Sequence, residues 1–212
     1  VVSLVHDEEE ARHARDLLPT AARVETVRVP RVRNMVRGAA GLPTGLPLTH
    51  ALLDAPALTR VLSSVVERNP PDVVLAYCSG IAHAAMQSPL AGVPLVLDLV
   101  DVDSEKWALY GRRTRGPMKW IYQREARCLG RSEEEAARRA SAVLVVNERE
   151  RTSLAARVPD GNIMTVGNGI DVSSFWPEGP PTDIPRVVFC GVFNYRPNER
   201  GAVLFANEVW PT

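Results

Sequence analysis

Apolar runs of strand length recur along this chain with helix-patterned segments between them, and that alternation confines it to few folds. VVSLVH at 1–6, the run at 22–29, PDVVLAY at 71–77, PLVLDLV at 94–100 and AVLVV at 142–146 read as strands. Helices are predicted from Asp7 to Leu18, over 48–68, around 80–87, over 103–140 and over 147–157, with a basic, Gly/Pro-rich stretch at 31–47. Strands separated by helices pair in parallel, and the crossovers lay helices on both faces of the sheet. The predicted class is α/β with a doubly wound parallel sheet. Ligands of such sheets sit beyond the carboxyl ends of the strands, where amides of the following turns point outward. Three strand ends stand out: Tyr77-Cys78-Ser79-Gly80, Asp98 to Ser104, and Asn147-Glu148.

A joint closes this pattern. In NIMTVGNGIDVSSFWP, Asn162 to Pro177, a short apolar strand runs into Asn168-Gly169, two residues that tolerate positive φ. Asp171 is placed to bond neighbouring backbone amides, Phe175 to anchor the far side and Pro177 to stop further pairing. The run EGPPTDIP, Glu178 to Pro185, has linker composition. Beyond it RVVFC, Arg186 to Cys190, reads as a buried strand, followed by Gly191 and a helix from Pro197 to Val209. Strand, glycine and helix open a second α/β domain, and fewer than ~40 residues seldom hold a core of their own. Residue 1 is Val and opens directly on a strand, with nothing that reads as a signal peptide. The chain is therefore expected to be a fragment, with domain boundaries at 1–168, 169–185 and 186–212.

With 212 residues, 45% hydrophobic and a formal net charge of zero, the chain suits one globular domain plus an appendage. No apolar run approaches the ~20 residues that span a bilayer. Cys78, Cys128 and Cys190 lie far apart without a CxxC pair and read as buried thiols in a reducing cytosol. His6, His13, His50 and His83 lack ligand spacing, so no protein-bound metal is expected.

Asp98, Asp101 and Asp103 appear within six residues as an apolar strand leaves its sheet. Burying unpaired carboxylates is costly, so they must reach solvent, a cation or a hydroxyl-rich ligand; sugar hydroxyls suit them. The structural alternative makes Asp103 or Ser104 the cap of a helix beginning at Glu105, with Asp101 paired to Lys106 or an arginine. The segment Arg31 to Leu53 mixes arginines with Val32, Met35, Val36 and leucines. It reads either as a solvated loop with a buried leucine side or as a contact with an anionic membrane surface. Arg112, Arg113, Arg115 and Lys119, interleaved with Trp107, Tyr110, Trp120 and Tyr122, have the mixture used on single-stranded nucleic acid, but zero net charge argues against that role. The aromatics are expected to pack on one helix face instead. Glu133-Glu134-Glu135 with Arg138-Arg139 reads as an exposed, ion-paired helix. Neither a GxGxxG after the first strand nor a GxxxxGK[ST] occurs.

Three segments, LDLVDVDSEKW, NIMTVGNGIDVSSFWP and RVVFCGVFNYRPN, resemble the bacterial family-4 retaining glycosyltransferases of two-domain GT-B architecture. The second matches that family's strand-to-linker signature NG-[VI]-D-x-x-x-F-x-P. The first and third are similar to sugar transferases of exopolysaccharide and exosortase-associated clusters. The resemblance implies a Rossmann-like first domain that grips the acceptor, preceded by a strand and glycine-rich loop ahead of residue 1. It further implies a second domain that binds the nucleotide sugar and whose Glu-x7-Glu motif falls beyond Thr212, so this piece alone should not turn over. Ser79, Gly80, Asp98, Asp101, Asp103 and Ser104 would face the acceptor, Asn168, Gly169 and Asp171 would hinge, and Gly191, Tyr195, Arg196 and Asn198 would meet the donor. Family enzymes often place His or Arg before the aspartate that ends strand 94–100; here it is Val100, which leaves Asp98 and Asp101 as catalytic candidates. The usual Arg and Lys of the diphosphate loop are also displaced, with Arg196 the nearby cation.

The implied reaction takes a nucleoside diphosphate sugar as donor substrate, needs no cofactor or metal, and retains the anomeric configuration. Its acceptor would be a glycan or a lipid-linked sugar, in exopolysaccharide or cell-envelope glycan synthesis, with no nucleic-acid partner. The place implied is cytoplasmic, peripheral on the inner face of the bacterial membrane. Two other readings share the scaffold: a non-catalytic glycan- or membrane-binding module, and a GT-B nucleotide-sugar epimerase.

Overall fold

A computed structural model describes residues 1–174, 186–193 and 195–211, and at Arg196 the backbone alone. The chain divides into two compact units, Val1–Asn168 and Gly169–Thr212. The linker expected at Glu178 to Pro185, with Phe175 and Pro177, lies outside the described residues.

The first unit is α/β with every strand pair parallel. β1 (Val2–Val5) leads through α1 (Glu8–His13) and a 3-10 turn (Ala14–Leu17) to β2 (Glu25–Arg28), and Val2 pairs opposite Glu25. Asp7 starts α1 by accepting the amides of Glu9 and Glu10 at 3.1 and 3.0 Å, and three glutamates follow at the helix's positive end. Next come α2 (Arg31–Ala40), α3 (Leu48–Leu52) and α4 (Leu58–Arg68). Then β3 (Val74–Tyr77), α5 (Ser79–Ala85), β4 (Leu95–Val100), α6 (Asp103–Arg113), α7 (Pro117–Arg139), β5 (Ala142–Val145), α8 (Glu148–Arg157) and β6 (Ile163–Thr165) complete the unit. The last four strands form one parallel sheet in the order β3-β4-β5-β6, while β1 and β2 form a separate pair.

The main core lies on one face of the four-stranded sheet. Leu97 and Leu99 of β4 and Val143 and Val145 of β5 meet Ala136 and Ala137 of α7 and Leu154 of α8, all buried. The two alanines let α7 approach the strands closely, and each fully buried leucine contributes about 2 kcal/mol. A smaller core joins Val27, Val29 and Ala55 with Leu58 and Val61 of α4. On the other face of the large sheet Leu75, Tyr77 and Met164 are exposed. α1 and α4, which could have crossed that face, pack on the β1–β2 pair instead.

Three segments depart from the sequence reading. The stretch at 31–47, taken for a loop, is helical over Arg31–Ala40, and within it only Asn34 and Gly38 are buried. Asn34 donates to the carbonyls of Leu52 and Asp54 at 2.9 and 2.7 Å, and Gly38 lies against Leu48 and Leu52. Val32, Met35 and Val36 point outward, so the apolar residues mark the outer face of α2 and the usual periodicity signal is inverted. The helix predicted over 48–68 divides into α3 and α4, since Pro56 cannot sit in a helix interior. The helix predicted over 103–140 divides into α6 and α7 at Thr114 to Gly116, where Gly116 takes φ +70° and Pro117 opens α7.

α7 also fixes the α2–α3 connection through two adjacent buried charges. Arg124 donates to the carbonyls of Leu42 (2.7 Å), Gly41 (3.1 Å) and Leu46 (2.9 Å), and also to that of Thr44. Glu125 accepts the amides of Leu48 and Thr49 at 2.7 and 2.9 Å and the Thr49 hydroxyl at 2.9 Å, so it caps α3 from outside that helix.

In the second unit, the predicted buried strand Arg186 to Cys190 is exposed and unpaired, because no described segment of that unit offers it a ladder partner. Cys190 is accordingly exposed, against the expectation of a buried thiol. α9 (Arg196–Leu204) runs on into a π turn, Phe205–Val209.

Removing the Glu125 carboxylate strands three donors and the neighbouring guanidinium. Glu125→Ala should lower the unfolding free energy by about 3 kcal/mol, and Glu125→Gln, which keeps one acceptor oxygen, by less. Urea denaturation followed by circular dichroism measures both; a Glu125→Ala midpoint equal to wild type would contradict the capping role.

Candidate functional site

The carboxyl ends of β3 and β4 carry the two strained residues of the first unit. Cys78 has φ +67° and Val100 has φ +62°, in the left-handed region that a β-branched side chain adopts only when its surroundings impose it. The two sites are coupled, since Tyr77 pairs with Asp98 and the Cys78 amide donates to the Asp98 carbonyl at 2.7 Å. The ladder between β4 and β5 slips between Asp98 and Val100, placing a bulge at this point. Asp98 Oδ1 accepts the Val100 amide at 3.1 Å and steadies the bulge. A bulge at a strand end re-aims the side chains that follow it. Here it delivers Asp101 to the surface, where that residue is exposed.

The segment after the bulge is fastened by carboxylates from two other helices. The Val102 amide donates to Glu150 of α8 at 2.9 Å. The Ser104 amide donates to Oε1 of Glu133 at 3.0 Å, and the Ser104 hydroxyl meets Oε2 of the same side chain. α6 therefore begins at Asp103 with Val102 at its cap position, and neither Asp103 nor Ser104 caps a helix at Glu105. Asp103, rather than Asp101, takes the Lys106 ammonium, at 2.7 Å, and its other oxygen accepts the Ser79 hydroxyl at 2.7 Å. At the end of β5, Asn147 caps α8 through the Glu150 amide at 3.0 Å. Glu148 bridges Thr165 and Arg151, and those bonds hold its carboxyl below the usual range.

These facts sort the expected acceptor residues. Ser79 and Ser104 are buried, and their hydroxyls are engaged with Asp103 and Glu133. Gly80 is a close-packing position: a Cβ there would come within 2.4 Å of Leu53 Cδ1. Asp98, partly exposed, and Asp101, exposed, remain at the surface of the strand ends. A cleft of about 410 Å³ opens between α3–α4 and α5, with His50, His83 and Gln87 among its polar lining and neither Asp98 nor Asp101 in its wall. His50 and His83 stack with ring centroids 5.6 Å apart, and His50 Nε2 lies 3.2 Å from the Ser79 carbonyl. Burial holds the His50 imidazole below its ordinary pKa. Among the described residues no group of three His, Cys, Asp or Glu side chains is placed to hold a metal ion.

At the joint, neither Asn168 nor Gly169 takes the positive φ that both tolerate. Asp171 does bond its neighbours, accepting the Ser173 amide at 3.0 Å and the Ser174 hydroxyl at 2.7 Å, with its carboxyl held low mainly by the bond from Ser173. In the second unit Asn198 donates to the Val192 carbonyl at 3.2 Å, and a Cβ on Gly191 would lie 2.8 Å from that amide nitrogen. Tyr195 is the cap position of α9, which Arg196 opens.

Glu133 is the residue that sequence reasoning misplaced. Its neighbours Glu134 and Glu135 form the expected exposed pairs with Arg138 and Arg139, but Glu133 is 2% exposed. The signal was its position: Leu129, Glu133, Ala136 and Ala137 fall on one helix face, and a charge on an apolar stripe has a buried task. Burial, outweighing the bonds from Ser104 and the attraction of Arg157, pushes its carboxyl up to about 7. Arg157 Nη2 lies 3.8 Å from Glu133, too far for a hydrogen bond, and has no other partner among the described residues.

This α/β unit presents carboxylates at a bulged strand end, and its sequence places it among the sugar-transferring proteins. Residues 1–169 match the family described as glycosyl transferase 4-like domain, and the chain belongs to that family. The first unit is thus a Rossmann-like domain of a glycosyltransferase, a transferase that works between a sugar donor and an acceptor. No curated protein matches the chain.

The raised Glu133 pKa has a definite sign. The folded protein holds this proton more tightly than the unfolded chain, so the stabilisation is complete below the unfolded value of 4.5 and is lost as pH rises through about 7. Glu133→Gln, which cannot titrate, should flatten stability between those limits and gain about 3 kcal/mol relative to wild type above pH 8. Thermal melts across that range read it; parallel pH profiles for the two proteins would refute the assignment.

Proposed function

We propose that the first unit is the acceptor-binding half of a glycosyltransferase of the retaining GT-B type, using a nucleoside diphosphate sugar without a metal or cofactor. Residues 186–212 would open the donor-binding half, with Gly191, Tyr195, Arg196 and Asn198 near the diphosphate, and Asn168 to Asp171 would be part of the hinge. The observation that carries the reading is the bulged end of β4, where Val100 is strained, Asp98 is partly exposed and Asp101 is exposed. Ionised carboxylates make strong, directional bonds to hydroxyls and so can select and orient a sugar acceptor. A rigid support that holds them in place serves the transition-state geometry better than a mobile loop. Asp98 and Asp101 are the proposed acceptor-side groups, while Ser79, Asp103 and Ser104 support them from behind. The acceptor class is a glycan or a lipid-linked sugar, as in exopolysaccharide or cell-envelope glycan assembly.

The test uses the protein with its complete donor-binding half and a panel of nucleotide sugars, with released diphosphate as the readout and candidate lipid-linked acceptors added. Asp101→Asn should reduce turnover by roughly 100-fold or more while leaving the melting temperature unchanged, since no carboxylate-dependent contact of the fold is lost. Diphosphate release at the wild-type rate by Asp101→Asn, or no release with any donor and acceptor pair, would defeat the reading.

A further inference from the structure

α6 and α7 form a helical hairpin whose tip, residues 112–120, is exposed throughout except at half-buried Thr114. Trp107, Tyr110 and Tyr122 pack against one another between the two helices, with ring centroids 5.5 to 5.9 Å apart, as expected of aromatics on a shared helix face. Trp120 departs from that expectation. It stands outside the cluster and is 51% exposed, next to Met118 at 42%. Arg112, Arg113, Arg115 and Lys119 lie in the same short stretch of chain as these two residues, all exposed, and none pairs with a carboxylate among the described residues. At the far end of α7, by contrast, Arg138 and Arg139 each pair with a glutamate one turn away. The sequence contains no Asp or Glu between Glu105 and Glu125, and the first turn of α7 carries no acidic residue.

We propose that this tip docks on an anionic lipid bilayer. An exposed tryptophan and methionine in one short turn with four exposed cations and no acidic residue match the membrane interface, where an indole seats among headgroups and arginine or lysine side chains reach anionic lipid. Gly116 at φ +70° followed by Pro117 makes the turn sharp, so Met118 and Trp120 project from a stiff support. The segment Arg31 to Leu53 is the rival surface, and it is less suited. Arg33 and Arg37 both pair with Asp54, at 2.8 and 2.6 Å, and Arg31 lies within electrostatic reach of Asp7, beside the three glutamates of α1. Among the described residues no helix is long and apolar enough to cross a membrane, so the contact proposed is peripheral. It stands apart from the question of sugar transfer.

Vesicle co-sedimentation of the whole chain tests it, using phosphatidylcholine alone and phosphatidylcholine mixed with phosphatidylglycerol, at low and high salt. Binding is expected only to the mixed vesicles and should fall at high salt. Each cation near an anionic surface contributes roughly a fivefold factor in partition, so Arg113→Gln with Arg115→Gln and Lys119→Gln together should weaken binding by about 100-fold. Trp120→Ala should weaken it independently of salt, and Val32→Gln with Met35→Gln should leave it unchanged. Circular dichroism of each variant confirms that the fold is retained. The proposal fails if the triple variant binds as wild type, if the Val32 and Met35 variant alone loses binding, or if the chain ignores anionic vesicles while retaining a single-stranded oligonucleotide.

Discussion

Buried charge on α7 organises the first unit. Arg124 gathers the carbonyls of the α2–α3 connection, Glu125 caps α3, and two turns further on Glu133 caps α6. Each charge satisfies backbone groups left open at a helix end or turn, so the desolvation that each incurs is offset by bonds its partners could not make with solvent once buried. One helix thereby fixes the positions of three others. Ala136 and Ala137, lower on the same helix, seat it on β4 and β5. The apolar contacts hold α7 to the sheet; the polar ones decide where its neighbours begin.

The strand ends inherit that order. Positive φ at Cys78 and Val100 is unfavourable by about 1–3 kcal/mol at each residue, and it persists because the Asp98 carbonyl and carboxylate, the bulge and the Glu150 and Glu133 caps together leave the chain no easier path. Strain is thus concentrated at two adjacent strand ends, next to the carboxylates of Asp98 and Asp101. Ser79, Asp103 and Ser104 support the geometry, and Asp98 and Asp101 face outward.

Much of this was legible in the residues. The parallel α/β class follows from alternating apolar runs, and the carboxylates leaving β4 were visible in LDLVDVDSEKW. The division of labour among them was not, because it depends on partners 29 and 48 residues away, Glu133 and Glu150. Asn168-Gly169 tolerate positive φ by composition, yet outside glycine positive φ is found at a cysteine and a valine, where only tertiary constraint can produce it. α2 escaped notice because its apolar residues face outward and a lone Asn34 faces inward. Glu133 was hidden inside a run of three glutamates whose other two members behave as a solvated face should.

The loop from Asp98 to Asp103 is pinned at both ends, by the bulge behind it and by Glu150 and Glu133 ahead. A ligand arriving there has little backbone left to immobilise, so its association would carry a small entropic penalty and derive its selectivity from the identity of a few side chains. Such a platform would let Asp101, whose side chain takes no part in the pinning, drift to another residue without any redesign of the scaffold underneath.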